Sequence, residues 1–177
     1  MKTKAGIGFF LICVLVLGVL FIRPATQAYA DDLAILKFST MVGVPKAYTG
    51  SQAPIRGING GGLPWVINGA EGKLTTSGKL NVFVTGLVLD PNDPTVISRG
   101  LANQNPVASF RAIVSCQTAD GGVMNFMTDP FPATTGPLSG GGGNATIQTF
   151  ISLPHPCIAP IIFVASPGGA WFATTGY

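Results

Sequence analysis

The only histidine in the chain, His155, stands two residues before Cys157 in the segment LPHPC. An imidazole that close to a thiol is the smallest set that makes a cysteine nucleophile, since the ring takes the thiol proton and the thiolate attacks. Cys116 offers that thiol another fate, a disulfide. In VASFRAIVSC, residues Phe110, Ala112, Val114 and Cys116 share one strand parity, and Ser109, Arg111, Ile113 and Ser115 share the other. Cys116 therefore points with the apolar set, into a core. Pro154, Pro156 and Pro160 forbid a helix and remove backbone donors, so residues 154–160 form a rigid extended connection that carries Cys157 towards it. The expectation is one buried Cys116–Cys157 bond closing a loop of about 40 residues, which stabilises by about 3 to 4 kcal/mol, and a dispensable surface His155.

Other chemistry is thin. A serine nucleophile needs a base, and there is one imidazole and no G-x-S-x-G elbow. One histidine and two oxidised cysteines do not make a zinc site. No catalytic residue, metal ligand or cofactor is expected. A carboxylate pair, as in glycoside hydrolysis, has to be drawn from Asp31, Asp32, Glu71, Asp90, Asp93, Asp120 and Asp129. Asp120 precedes Gly121-Gly122 and reads as a turn residue. The stretch from Asp90 to Pro94 reads as a proline-stiffened loop, with calcium the lesser alternative because the EF-hand spacing is absent.

Two glycine runs stand out, Arg56 to Trp65 (RGINGGGLPW) and Ser139 to Thr146 (SGGGGNAT). Neither has a phosphate-loop or dinucleotide pattern. Gly60, Gly61 and Gly62 beside Trp65 are the candidate ligand-binding residues, where backbone approaches a partner and the indole lies over it; a plain turn is the preferred alternative. Trp65, Trp171, Tyr48 and Tyr177 would suit a sugar-stacking platform, but core packing is the preferred role for the tryptophans. Asn144-Ala145-Thr146 matches the N-glycosylation sequon.

The elements that hold these residues are strands. No segment carries a convincing 3.6-residue period, whereas short apolar or alternating runs recur between Gly, Pro, Asn and Asp. Glu71 to Leu74, the turn Thr75-Thr76-Ser77-Gly78, and Lys79 to Leu89 read as a hairpin. Leu80, Val82 and Val84 lie on one face of it, Lys79, Asn81 and Thr85 on the other, and a bulge or bend at Gly86 reconciles Leu87 and Leu89. Further strands are expected at Leu33 to Val42, Leu63 to Ile67, Val107 to Cys116, Val123 to Thr128, Ala145 to Leu153, Pro160 to Ser166 and Ala170 to Thr175. The run APIIFVAS lacks polar alternation and reads as an interior strand covered on both faces. About nine strands predict an all-β domain, a single antiparallel sandwich of immunoglobulin-like or jelly-roll-like form with one disulfide.

The N-terminus sets the compartment. Lys2 and Lys4, the apolar stretch from Ala5 to Ile22, and Ala28-Tyr29-Ala30 read as a secretory signal, residues 1–30, ahead of a domain of residues 31–177. The apolar stretch, 18 residues, also reaches the lower limit for a membrane span, so retention as an anchor is the alternative. Ile12 stands where a lipoprotein signal centred on Cys13 needs a small residue. Lys2, Lys4 and Arg23 are three of ten basic residues; without them seven face seven acidic ones, and the mature formal charge is zero. The whole-chain pI of about 8.9 thus belongs to the leader, and nothing basic remains to attract nucleic acid.

The runs GKLTTSGKLNVFVTGLVL and LPHPCIAPIIFVASPGGAWFATTG resemble segments of uncharacterised small secreted bacterial proteins with no assigned activity. The resemblance spans most of the mature chain, implies a secreted, disulfide-bearing β-domain and transfers no catalytic residue. A fainter likeness to immunoglobulin domains lacks their Cys, Trp, Cys order. The expected function is non-enzymatic: a secreted or cell-envelope protein that binds an envelope partner, carbohydrate included, through its surface, and contacts membrane only where residues 5–22 are retained. The alternative is a secreted carbohydrate-active hydrolase using a carboxylate pair.

Overall fold

The computed structural model describes residues 32–175. The signal segment, its cleavage position, Cys13, Asp31 and Tyr177 lie outside the described residues. In chain order the strands are β1 (Ala34–Phe38), β2 (Val42–Gly43), β3 (Trp65–Val66), β4 (Gly69–Thr75), β5 (Lys79–Thr85), β6 (Val88–Leu89), β7 (Gln104–Asn105), β8 (Ser109–Gln117), β9 (Val123–Met127), β10 (Phe131–Pro132), β11 (Gly136–Pro137), β12 (Ala145–Phe150), β13 (Ile158–Ala165) and β14 (Trp171–Thr174), with a short α-helix, α1 (Pro94–Ser98), and 3-10 turns at Lys46–Tyr48 and Leu138–Gly140. Among the described residues no helix is long and apolar enough to cross a membrane.

The hairpin follows its alternation. Gly78 closes the turn at φ +84°, its N–H donating to Thr75 O at 3.0 Å, and places Leu74 opposite Leu80. Leu74, Leu80 and Val82 are fully buried and Val84 nearly so, each side chain stabilising by roughly 1.5 to 3 kcal/mol relative to exposure. β1 and β12 flank this hairpin, giving sheet I the order β1-β4-β5-β12, antiparallel throughout. Gly86, at φ +62°, ends β5 and turns the chain out of sheet I, so that Val88 and Leu89 pair with Val66 and Trp65. The parity change is a bend into another pair of strands.

Sheet II runs β10-β8-β13-β14-β2, and β9 adds to the β8 edge beside β10. A bridge between Ala133 and Ala145 joins its β10 side to the β12 edge of sheet I. The two sheets form a sandwich. The inward set of sheet II, Phe110, Ala112, Val114, Cys116, Ile162, Val164 and Ala173, has no exposed surface. Cys116 bonds Cys157 with Cα atoms 5.0 Å apart, inside the range a disulfide spans. Cys157 enters β13 and Ile158 lies opposite Gln117 of β8, so the bond joins neighbouring strands of one sheet, unlike the inter-sheet bond of antibody domains.

On the central strands of sheet II the outward set is buried as well, with Ile113, Ser115, Phe163, Ala165 and Trp171 all at most 1% exposed, whereas on the β9 edge Val123 and Met127 are 45% and 56% exposed. The cover is residues 44–64, here called the strap. Arg56 donates from Nη1 to Ser115 O at 2.9 Å and from Nη2 to Ala159 O at 2.8 Å, and its own carbonyl accepts from Asn125 Nδ2 at 2.9 Å. Further along, Trp171 N donates to Asn59 O at 2.9 Å and Gly61 N to Trp171 O at 2.8 Å. The expectation that APIIFVAS is covered on both faces is met from Ile162 to Ala165, with sheet I on one side and the strap on the other, while Ala159 at the start of the run is exposed. The fit leaves Trp171 Nε1 and Ser115 Oγ buried without a hydrogen-bond partner among the described residues.

A bulge in β14 serves both layers. Val164 pairs with Ala173 and Ala165 with Trp171, which skips Phe172. Trp171 consequently faces the strap, meeting Tyr48 and Phe163 with ring centroids 6.3 and 6.0 Å away. Phe172 faces the sandwich interior, stacked on Trp65 at 4.0 Å and edge-on to Phe110 at 5.9 Å.

Candidate functional site: the open face of sheet I

Sheet I has an outward face too, and no segment of the described chain is paired over it. Parity and register place its side chains in rows. Lys37 of β1 is opposite Lys73 of β4, Lys73 is opposite Asn81 of β5, and Asn81 is opposite Gln148 of β12. One pleat along, Glu71, Phe83 and Thr146 form a second row, and near the hairpin end Lys79 faces Phe150. Phe83 is 39% exposed and Phe150 71%. Two shallow clefts share Phe83 and Glu71. One, of about 330 Å³, also contains Phe38, Lys37, Lys73 and Asn81; the other, of about 290 Å³, contains Ser39, Gly69 and Thr85. Glu71 is the one carboxylate in either cleft.

The lysines of this face form no ion pair with Glu71. The ion pair found among the described residues is Lys46 Nζ to Asp93 Oδ2 at 2.9 Å, which lies elsewhere. Lysines directly opposite each other on neighbouring strands repel, yet Lys37 and Lys73 are so placed. Asp32, beside the hairpin turn, accepts from Ser77 N at 3.1 Å. Desolvation acts to raise its pKa, but the hydrogen bonds from Ser77 and Thr75 and the charge of Lys73 leave the carboxyl below its ordinary value.

The residues singled out from sequence are placed differently. Trp65 and Trp171 are core residues, 4% and 1% exposed. A β-carbon on Gly60 would overlap the Tyr48 carbonyl, and one on Gly61 would come within 2.9 Å of the Phe172 ring. The close approach these glycines permit is thus to the chain itself, with only Gly62 facing open space. His155 is exposed, and its neighbour Cys157 is committed to the disulfide. Asn144 accepts from Gly86 N through Oδ1 at 2.9 Å.

Three further carboxylates, those of Asp90, Asp93 and Asp120, are occupied with local structure. Asp90 Oδ1 accepts from Asn92 N at 2.9 Å in a turn. Asp93 caps α1, its Oδ1 accepting from Thr95 N at 2.8 Å and Val96 N at 3.1 Å. The Lys46 contact, with those two N–H groups, holds the Asp93 carboxyl below its ordinary pKa although desolvation opposes them. Asp120 is bonded by the Thr118 hydroxyl and Gly122 N, which lower its pKa likewise. Among the described residues no three His, Cys, Asp or Glu side chains gather as metal ligands would.

Sheet I defines the site as a solvent-open β-sandwich face of cationic, amide and aromatic side chains. No protein-family model matches the chain, and no curated protein or solved structure is significantly similar to it.

Proposed function

We propose that this is an exported, non-enzymatic binding protein of the cell surface or envelope, and that it engages its partner through the open face of sheet I. One observation carries the reading: the fold covers the central strands of the outward face of sheet II with its own strap and leaves the outward face of sheet I bare, with two exposed phenylalanines among polar side chains. The disulfide supports export, since such bonds persist in oxidising compartments. The secretory reading of residues 1–30 supports it independently. The hydrolase alternative gains nothing from the geometry, in which Glu71 has no carboxylate partner in its clefts.

The test is retention of the domain lacking residues 1–30 on isolated envelope fractions and on a panel of polysaccharides, with and without calcium. Retention that falls severalfold in the Phe83→Ser variant is expected. Equal retention of wild type and variant, or release of sugar from any polymer on the panel, would overturn the proposal.

A further inference from the structure

We infer that the partner of the open face is an acidic polysaccharide, one whose sugar rings carry carboxylates; this rests on the reading of that face as the binding surface. The mature chain is neutral overall, with seven charges of each sign, but the outward side chains of sheet I include Lys37, Lys73 and Lys79 against Glu71 alone. A domain without net charge therefore presents one face with an excess of two positive charges. Asp32, bonded to Ser77 N at the hairpin turn, offsets part of this excess through Lys73 but leaves Lys37 and Lys79 without an ion pair.

The cationic pair is also placed at a cost. Lys37 and Lys73 are direct register partners, and like charges directly opposite each other destabilise a sheet. Glu71 is one pleat away and forms no ion pair with either. An anion supplied from outside would relieve the repulsion. At a strand spacing of about 4.8 Å the row from Lys37 to Gln148 spans about 14 Å, long enough for an extended polymer rather than a single small ion.

Its remaining members select a sugar. Asn81 and Gln148 continue the row with amide donors and acceptors suited to hydroxyl groups, and Phe83 lines the same cleft with an apolar ring on which the C–H face of a pyranose can lie. An acidic polypeptide such as polyglutamate would satisfy the lysines and the amides but offers the phenylalanine no flat apolar face.

The experiment measures binding of the domain lacking residues 1–30 to polygalacturonate, to its fully methyl-esterified neutral form, and to polyglutamate, at 50 and 200 mM NaCl. Polygalacturonate is expected to bind at least tenfold more tightly than the ester or polyglutamate and to weaken with salt. The Lys37→Gln, Lys73→Gln double variant should lose about tenfold in affinity, whereas Arg99→Gln, which removes a cation outside sheet I, should lose little. The double variant should melt no lower than wild type, because removing the pair removes a repulsion, and this shows that lost binding is not lost folding. Equal affinity for the acid and the ester would overturn the acidic ligand; with Phe83→Ser still weakening retention on the envelope, the binding-face reading would survive it. Polyglutamate binding as tightly as polygalacturonate would replace the sugar with an acidic polypeptide. Equal losses in the lysine and Arg99 variants would reduce the effect to net charge and overturn the inference, as would no binding to any of the three polymers.

Discussion

The outward faces of the two sheets have opposite fates. That of sheet II carries Ile113, Phe163 and Trp171 and is covered over its central strands by a strap held through Arg56, Asn59 and Gly61, with only the β9 edge left open. That of sheet I carries Lys37, Lys73, Glu71, Asn81 and Gln148 and is left to water. Strand composition decides which: a continuous apolar run needs a cover on both sides, an alternating one on only one. Burial therefore assigns stability to one side of the molecule and leaves the other free for recognition.

Substitutions on the two faces test this contrast. Trp171→Ala should have the largest effect, about 3 to 5 kcal/mol, because it empties the layer under the strap; chemical denaturation that found less than 1 kcal/mol would mean that the strap is not a true second cover. Cys157→Ser comes next at about 3 to 4 kcal/mol, read from the same denaturation curves without reductant.

A smaller, pH-dependent effect belongs to Asp93, whose contact with Lys46 ties the start of the strap to α1. Its folded pKa lies below the unfolded one. The stability it contributes is therefore present above the unfolded value of about 3.9 and is lost as pH falls through the folded value. Melting temperatures at pH 7 and pH 3 should differ more for wild type than for Asp93→Asn, and equal differences would remove this anchor. Phe83→Ala and His155→Ala, both at exposed positions, should each change stability by no more than about 0.5 kcal/mol, although the first should impair binding. A cost above 1 kcal/mol for Phe83→Ala would make the open face structural.

Much of this division was legible in the residues. Alternation located the β4–β5 hairpin and the inward Leu80, Val82 and Val84, and the unbroken run after Pro160 announced a strand buried on both faces. What covers it was not legible, because the strap is built from single apolar residues, Tyr48, Ile55 and Ile58, scattered through a Gly-rich stretch that has no period. In place of about nine strands there are eight of four residues or more and six of two, since pairs as short as Gln104–Asn105 leave no pattern. The helix α1 has no helical period in five residues, yet Asp93-Pro94 is a cap followed by an N1 proline, the signal that could have found it. The parity of Lys79 and Asn81 was readable, but the pairing of Lys37 with Lys73 depends on a register between strands distant in sequence.

The bulge in β14 couples the two layers. Trp171 belongs to the packing under the strap and Phe172 to the packing between the sheets, and a single peptide bond joins them. Backbone movement of β14 that withdraws one ring displaces the other, so loss of this strand disrupts both layers at once. β14 should accordingly exchange its amide hydrogens as slowly as the centre of the sandwich, since opening it costs packing on both of its faces.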